Sequence, residues 1–231
     1  MLILAIDTAL EACAAAVLDT DAGELLARES VLMKRGHAEA LMPMIARVMQ
    51  SAELAFTSLD RIAVTVGPGS FTGLRVGISA ARGLALAACR PAVGLTTLSA
   101  YAAPMVGQNG TTPVISAIDA RHDHVYFQIV AGDGSELVRP GVASVDDAIA
   151  ASQFGAPHLV GNAAEILAER WPQDAPQPVT VDAQPAPDIG WVAWLGAAAD
   201  PETTPARPFY LRAPDAKPAA RPPFAAQAAT P

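Results

Sequence analysis

Apolar positions along this chain change period several times. Leu2 to Ile6 is a short apolar run ending at Asp7 and Thr8, Cys13 to Leu18 is a second, and Glu24 to Val31 follows beyond the turn Thr20, Asp21, Ala22, Gly23. Runs of this length between turn residues predict three antiparallel strands. From His37 to about Glu53 the period lengthens: Leu41, Met44, Ile45, Val48, Met49 and Ala52 recur at helical spacing, with Ala38, Met42 and Met49 along a neighbouring edge. Pro43 lies inside that pattern and predicts a kink in the first turns or a later helix start. His37 reads as a capping or packing residue, since no second histidine lies four residues away.

The stretch Arg61 to Arg90, RIAVTVGPGSFTGLRVGISAARGLALAACR, organises the rest. Ile62, Val64 and Val66 predict a strand, Gly67, Pro68 and Gly69 a tight turn, and the apolar run from Phe71 to Cys89 a helix that Ser70 or Thr72 caps. A helix start after glycines can hold an anion. A Walker-type loop is a poor match, because Leu74 and Arg75 follow Gly73 where lysine and serine or threonine are needed. Within the helix, Gly73, Gly77, Ala81 and Ala85 recur every four residues and form a ridge with almost no side chain. Either a partner helix approaches that ridge or it packs on its own sheet.

Pro91 to Leu95 then reads as a strand and Thr96 to Ala103 as a short helix, and Gln108, Asn109 and Gly110 mark a boundary. Beyond it the opening recurs without a gap at a constant spacing of 112 residues, Asp119 against Asp7. Ile129 matches Val17, Val130 matches Leu18, Asp133 matches Asp21, Glu136 matches Glu24, and Leu137 matches Leu25. A duplicated unit is the physical reading. The expected fold is therefore α/β, two tandem β-β-β-α units laid out as in the sugar-kinase, Hsp70 and actin superfamily, the second reduced. The expected divisions are an N-terminal subdomain over 1–108, a C-terminal subdomain over 109–200 and a Pro/Ala-rich, mostly disordered tail over 201–231 in which Phe209 to Arg212 dock.

In the second unit, His122 and His124 flank Asp123 near a hairpin turn; a solvated hairpin is favoured over a metal site because no third ligand is identifiable. Tyr126 and Phe127 are expected on opposite faces of the sheet. Past Val138 the repeat decays. Asp146 to Ala151, Asn162 to Trp171 and Asp188 to Ala199 read as helices, His158 to Val160 as a strand, and Pro172 to Pro187 as a proline-punctuated loop.

Composition narrows the functional classes. The 231 residues are 52% hydrophobic and 16% charged with a net charge of −8, a globular composition with ample core. An acidic chain is a poor stand-alone RNA binder, because phosphate affinity comes from clustered Lys and Arg. No basic region precedes the apolar start, Asp7 and Glu11 interrupt it, and no run is long enough for a membrane span, so the expected location is the cytoplasm. Cys13 and Cys89 lack CxxC spacing and are expected to be small buried hydrophobes.

The segments LAIDT, HAEALMPMI, VGPGSFTGLRVG, DARHDHVY and FYLRAP together resemble the TsaB (YeaZ) family, a subunit of the bacterial machinery that makes threonylcarbamoyladenosine in tRNA. The matches run in order from Leu4 to Pro214, with the glycine-containing block the most specific. The resemblance implies an actin-like fold and a non-catalytic subunit that supports a TsaD-family catalytic subunit and helps recruit a TsaE-family ATPase. It implies tRNA contact through the complex rather than directly, and ATP and a metal ion on the partner subunits, with no cofactor in this chain alone. The HxxxH metal motif of the TsaD family is absent: Leu41, Tyr126, Gln128 and Asn162 stand four residues beyond the histidines. No catalytic residue is assigned. The expected partner surface is His37, Leu41, Met42, Ile45, Met49, Gly73, Gly77, Ala81 and Ala85, which a homodimer could also use. The competing reading is an active ATP-dependent enzyme of the actin-like superfamily, with Asp7, Thr8, Gly67, Gly69 and Ser70 as nucleotide contacts.

Overall fold

The computed structural model describes residues 1–108 and 110–212. In the first half, strands β1 (Leu2–Asp7), β2 (Ala12–Asp19) and β3 (Glu24–Leu32) form an antiparallel meander. Helix α1 (His37–Ser51) leads to β4 (Arg61–Gly67), helix α2 (Phe71–Ala88) to β5 (Ala92–Thr96), and α3 (Thr97–Ala102) follows. β4 and β5 pair in parallel, so the sheet order is β3-β2-β1-β4-β5. α1 and α2 cover one face, packing Leu41, Ile45, Leu74 and Ile78 onto Leu4, Ile6, Val17, Ile62 and Val64. Helix α1 runs unbroken from His37 through Pro43, so the alternative of a later start is corrected.

The second half repeats the plan. β6 (Val114–Arg121), β7 (His124–Val130) and β8 (Glu136–Ser144) form the meander, and β9 (His158–Val160) and β10 (Thr180–Asp182) add in parallel beyond β6. The order β8-β7-β6-β9-β10 matches the first sheet strand for strand. The chain thus has the expected duplicated α/β, actin-like architecture. Tyr126 and Phe127 do lie on opposite faces, one against Leu98, Tyr101 and Ile118, the other against Ile115, Val125 and Leu159.

Several boundaries differ from the sequence reading. The repeat does not end at Val138: β8 continues through Pro140, which an edge strand tolerates because its outer amides need no partner. β10 lies inside the stretch read as loop, its pairing with β9 supplied by tertiary context rather than length. The gapless alignment also hides a slip. Ile3 faces Leu18, whereas Ile115 faces Ile129, and a bulge between Asp119 and Arg121 takes up the residue. The helix expected at Asp146 to Ala151 is α4 (Val145–Ala148) continuing as a 3₁₀ turn, and α5 (Ala164–Glu169) is shorter than expected.

The two halves are tied together across the expected boundary. Helix α6 (Ile189–Ala198), from the second half of the chain, buries Ile189, Val192 and Ala193 on the other face of the first sheet against Ile3, Ala5, Ala14 and Val93. Arg61 of β4 donates to the carbonyls at its C-terminal end, including Gly196 at 2.8 Å. Reciprocally, α3 packs on β6 and β7 of the second sheet. Among the described residues, no helix is long and apolar enough to cross a membrane.

Candidate functional site

The turn after β4 and the start of α2 press directly on the β1–β2 loop. Thr8 Oγ1 donates to the Gly73 carbonyl at 2.7 Å, and Ser70 N donates to the Ala9 carbonyl at 2.7 Å. Ser70 Oγ caps Gly73 N at 3.3 Å, which settles the capping choice against Thr72. A Cβ at Gly73 would collide with the Thr8 carbonyl, one at Gly77 with Thr8 Oγ1, and one at Gly69 with the Ala9 carbonyl. The glycines therefore serve contact between α2 and the loop. The hydroxyl of Thr8 and the amide of Ser70, two donors that a phosphate turn would aim at a ligand, are used within the chain.

Asp7, at the end of β1, is fully buried. Its Oδ1 accepts from the Thr65 hydroxyl and from Ala9 N at 3.0 Å, while its Oδ2 has no described partner. Burial pushes its pKa upward, only partly offset by those two hydrogen bonds. His37 sits at the start of α1 with Nε2 3.1 Å from the Leu10 carbonyl, a packing role across the same loop. Gly67 adopts φ 118°, and a Cβ there would stand 2.8 Å from the Phe209 carbonyl.

These contacts correct much of the expected partner surface. Gly73, Gly77, Ala81 and Ala85 all face inward onto Thr8, β4 and the core, so the ridge packs on its own molecule. Leu41, Ile45 and Met49 are core residues as well. His37 is half-buried, and Met42, 47% exposed, is the residue of the set that faces outward. Of the two readings open for that ridge, packing on its own sheet is the one the structure shows. The outward side of α2 carries Thr72, Arg75, Ser79, Arg82, Gly83, Leu86 and Ala87, and a Cβ at Gly83 would meet nothing among the described residues.

Between the two sheets lies a cleft of about 710 Å³, lined by the β1–β2 loop, the start of α2, the end of β6, the β6–β7 turn and the segment Phe209 to Arg212. That last segment acts as a strap. Phe209 N donates to Val66 O at 2.8 Å and the Phe209 ring packs on the first core. Tyr210 stacks on Phe71 with ring centroids 5.3 Å apart. Leu211 packs on the cluster of Leu98, Tyr101 and Ile118 between α3 and β6, and Arg212 Nη1 donates to the Ala120 carbonyl at 3.4 Å. Sequence reasoning anticipated the docking but not the aromatic stack, whose partners lie 139 positions apart (Phe71, Tyr210) and share no local pattern. Residues 213–231, the remainder of the expected tail, lie outside the described residues.

At the β6–β7 turn, Arg121, His122 and Asp123 all have positive φ, and Asp123 pairs with Arg170 at 2.7 Å. That ion pair holds the Asp123 carboxyl below the usual carboxylate range. His124 Nδ1 lies 2.7 Å from the His122 carbonyl. No cluster of three metal-ligating side chains occurs among the described residues. Cys13 is buried as expected, with its thiol pushed up to about 11 by burial, but Cys89 is exposed at the C-terminal cap of α2.

Comparison with known proteins places this arrangement. Residues 31–182 match the model of the family described as TsaD: tRNA N6-adenosine threonylcarbamoyltransferase. A solved structure from Pseudomonas aeruginosa, described as an uncharacterized protein with similarity to peptidase YEAZ, is 30% identical, covers 91% of this chain and 99% of its own, and superposes with a TM-score of 0.76. The chain belongs to the TsaB (YeaZ) family. Among its TsaB relatives, that of Escherichia coli is 42% identical over 127 residues, covering 55% of this chain and 54% of the relative. The TsaB protein of Haemophilus influenzae is 37% identical over 62% of this chain and 56% of its own. This chain thus spans about half the length of those two curated relatives. An uncharacterized protein of Mycobacterium tuberculosis is 34% identical over 94% of this chain and 95% of its own length.

Proposed function

We propose that this TsaB-family chain is a non-catalytic subunit required for threonylcarbamoylation of the adenosine next to the anticodon in tRNAs reading codons that start with A. It acts by binding and supporting a TsaD-family catalytic subunit and by helping to recruit a TsaE-family ATPase, in the cytoplasm. ATP and a metal ion belong to those partners. The observation that carries the reading is the outward face of α1 and α2. A glycine within a helix costs about 1 kcal/mol relative to alanine. At Gly83 no contact among the described residues uses the missing side chain. A second helix approaching across Gly83 and Ser79, with Leu86 and Met42 beside the crossing, would use it, because short side chains let helix axes come close. The same face can pair with its copy in a homodimer when the partner is absent.

Reading the chain as an ATP-dependent enzyme draws no support from the phosphate turns. Thr8 and Ser70 spend their donors inside the chain, and Asp7 sits fully buried with burial favouring its neutral form. The decisive experiment is threonylcarbamoyl transfer to tRNA by this chain alone, by the TsaD- and TsaE-family partners alone, and by the full mixture supplied with threonylcarbamoyl-adenylate and ATP. Transfer only in the full mixture supports a required supporting subunit; transfer by this chain alone overturns it.

A further inference from the structure

The cleft between the sheets has a charge balance opposite to that of the chain. Overall there are 15 Lys and Arg against 23 Asp and Glu. The cleft lining carries Lys34, Arg35, Arg121 and Arg212 against Glu11 and Asp119. Lys34 pairs with Glu11 at 3.4 Å. No described carboxylate pairs with Arg35, Arg121 or Arg212, and the Asp119 carboxylate instead accepts from Arg121 N at 2.7 Å. These three guanidinium groups come from three separate segments: the approach to α1, the β6–β7 turn and the strap. With cations in excess over Glu11 and Asp119, the cleft focuses a net positive field on an anionic ligand.

Beside the arginines stands an aromatic surface. Tyr210, 44% exposed, stacks on Phe71, and the Arg75 guanidinium lies 3.8 Å from the Phe71 ring centre. Spaced cations next to exposed rings are the features by which proteins hold single-stranded nucleic acid, with phosphates on the cations and a base on the ring. The turn at Gly69 to Gly73, which could cradle the phosphates of a free nucleotide, is closed by Thr8 and Ala9. Long arginines on separate segments suit successive phosphates of a strand instead.

We propose that this cleft binds a single-stranded RNA segment directly, with Arg35, Arg121 and Arg212 on its phosphates and Tyr210 under a base. The proposal rests on the function given above, and it replaces the expectation that tRNA is met only through the other subunits.

The test uses the full chain assembled with its TsaD- and TsaE-family partners and a labelled single-stranded anticodon-loop RNA, titrated at several salt concentrations by fluorescence anisotropy. The double variant Arg35→Ala/Arg121→Ala is expected to bind roughly tenfold more weakly, with a salt slope shallower by about 1.4, which is about 0.7 for each phosphate left without its arginine. Tyr210→Ala is expected to bind about tenfold more weakly with the slope unchanged. Arg139→Ala, an exposed cation on β8 outside the cleft, leaves binding unchanged. Unaltered RNA affinity in cleft variants that still assemble overturns the proposal and leaves the supporting-subunit function standing. Complete displacement of the RNA by AMP or ATP, at a site the arginine variants abolish, also overturns it in favour of a free nucleotide. If the wild-type chain does not assemble, the supporting-subunit function falls, and the same titration on the full chain alone decides the RNA proposal.

Discussion

Asp7 occupies a site that opposes its own charge, and its protonation is therefore linked to folding. Its folded pKa is raised by burial, so the folded state holds the proton more tightly than the unfolded chain does. The contribution of Asp7 to stability is full below its unfolded value, about 4. It is lost as pH rises through the raised folded value. Asp7→Asn keeps an oxygen for Thr65 and Ala9 while removing the titration. The stability of wild type minus that of the variant should then fall as pH rises from about 4 toward neutrality, measured by thermal unfolding of both proteins. A difference that rises below about pH 4 and then stays flat toward neutrality would mean Asp7 is held as a carboxylate. An aspartate at a strand end was visible in the sequence, but its burial depends on Thr65 and on the loop at Ala9, neither of which local pattern reveals.

Helix α2 carries small residues on two sides, the outward one shared with Arg75, Arg82 and Leu86, and periodicity alone does not say which side looks inward. Both Gly77 and Gly83 lie on rows spaced for helix packing, and the sequence reading took the row that meets the molecule's own sheet. Contact with Thr8 and β4 decides between them, and that contact is tertiary. The two glycines should accordingly respond in opposite ways. Gly77→Leu drives a side chain into Thr8 Oγ1 and should cost about 3 kcal/mol or more, seen as loss of the folded protein in urea titration. Gly83→Leu meets open space, should fold as well as wild type or better, and should weaken binding to the TsaD-family subunit at least tenfold by calorimetry. Unchanged binding would remove this face from the interface. The strap makes a separate claim at this scale. Phe209→Ala removes a ring packed on the first core and should destabilise the protein by about 2 kcal/mol in the same titration.

At the scale of the whole molecule, the duplication was readable because strands keep their apolar period even when few identities remain. Asp7 against Asp119 and Leu25 against Leu137 sufficed to place the second meander. β9 and β10, three residues each, carry too little pattern of their own and take their places by pairing with β6 and with each other. The crossing of α6 onto the first sheet was also hidden, since an all-apolar helix does not indicate which sheet it covers. That crossing has a consequence for independence. Residues 1–108 alone would expose the face of the first sheet formed by Ile3, Ala5, Ala14, Ala16 and Val93, which Ile189, Val192 and Ala193 otherwise cover. Each large side chain so uncovered forfeits about 1.5–3 kcal/mol, and a domain's net stability is only about 5–15 kcal/mol. The fragments 1–108 and 109–231 should therefore each fail to give a cooperative melt when produced separately, yet recover one when co-expressed and co-purified, as followed by circular dichroism. A cooperative melt of 1–108 alone would mean that α6 is an accessory of the first sheet rather than part of its core.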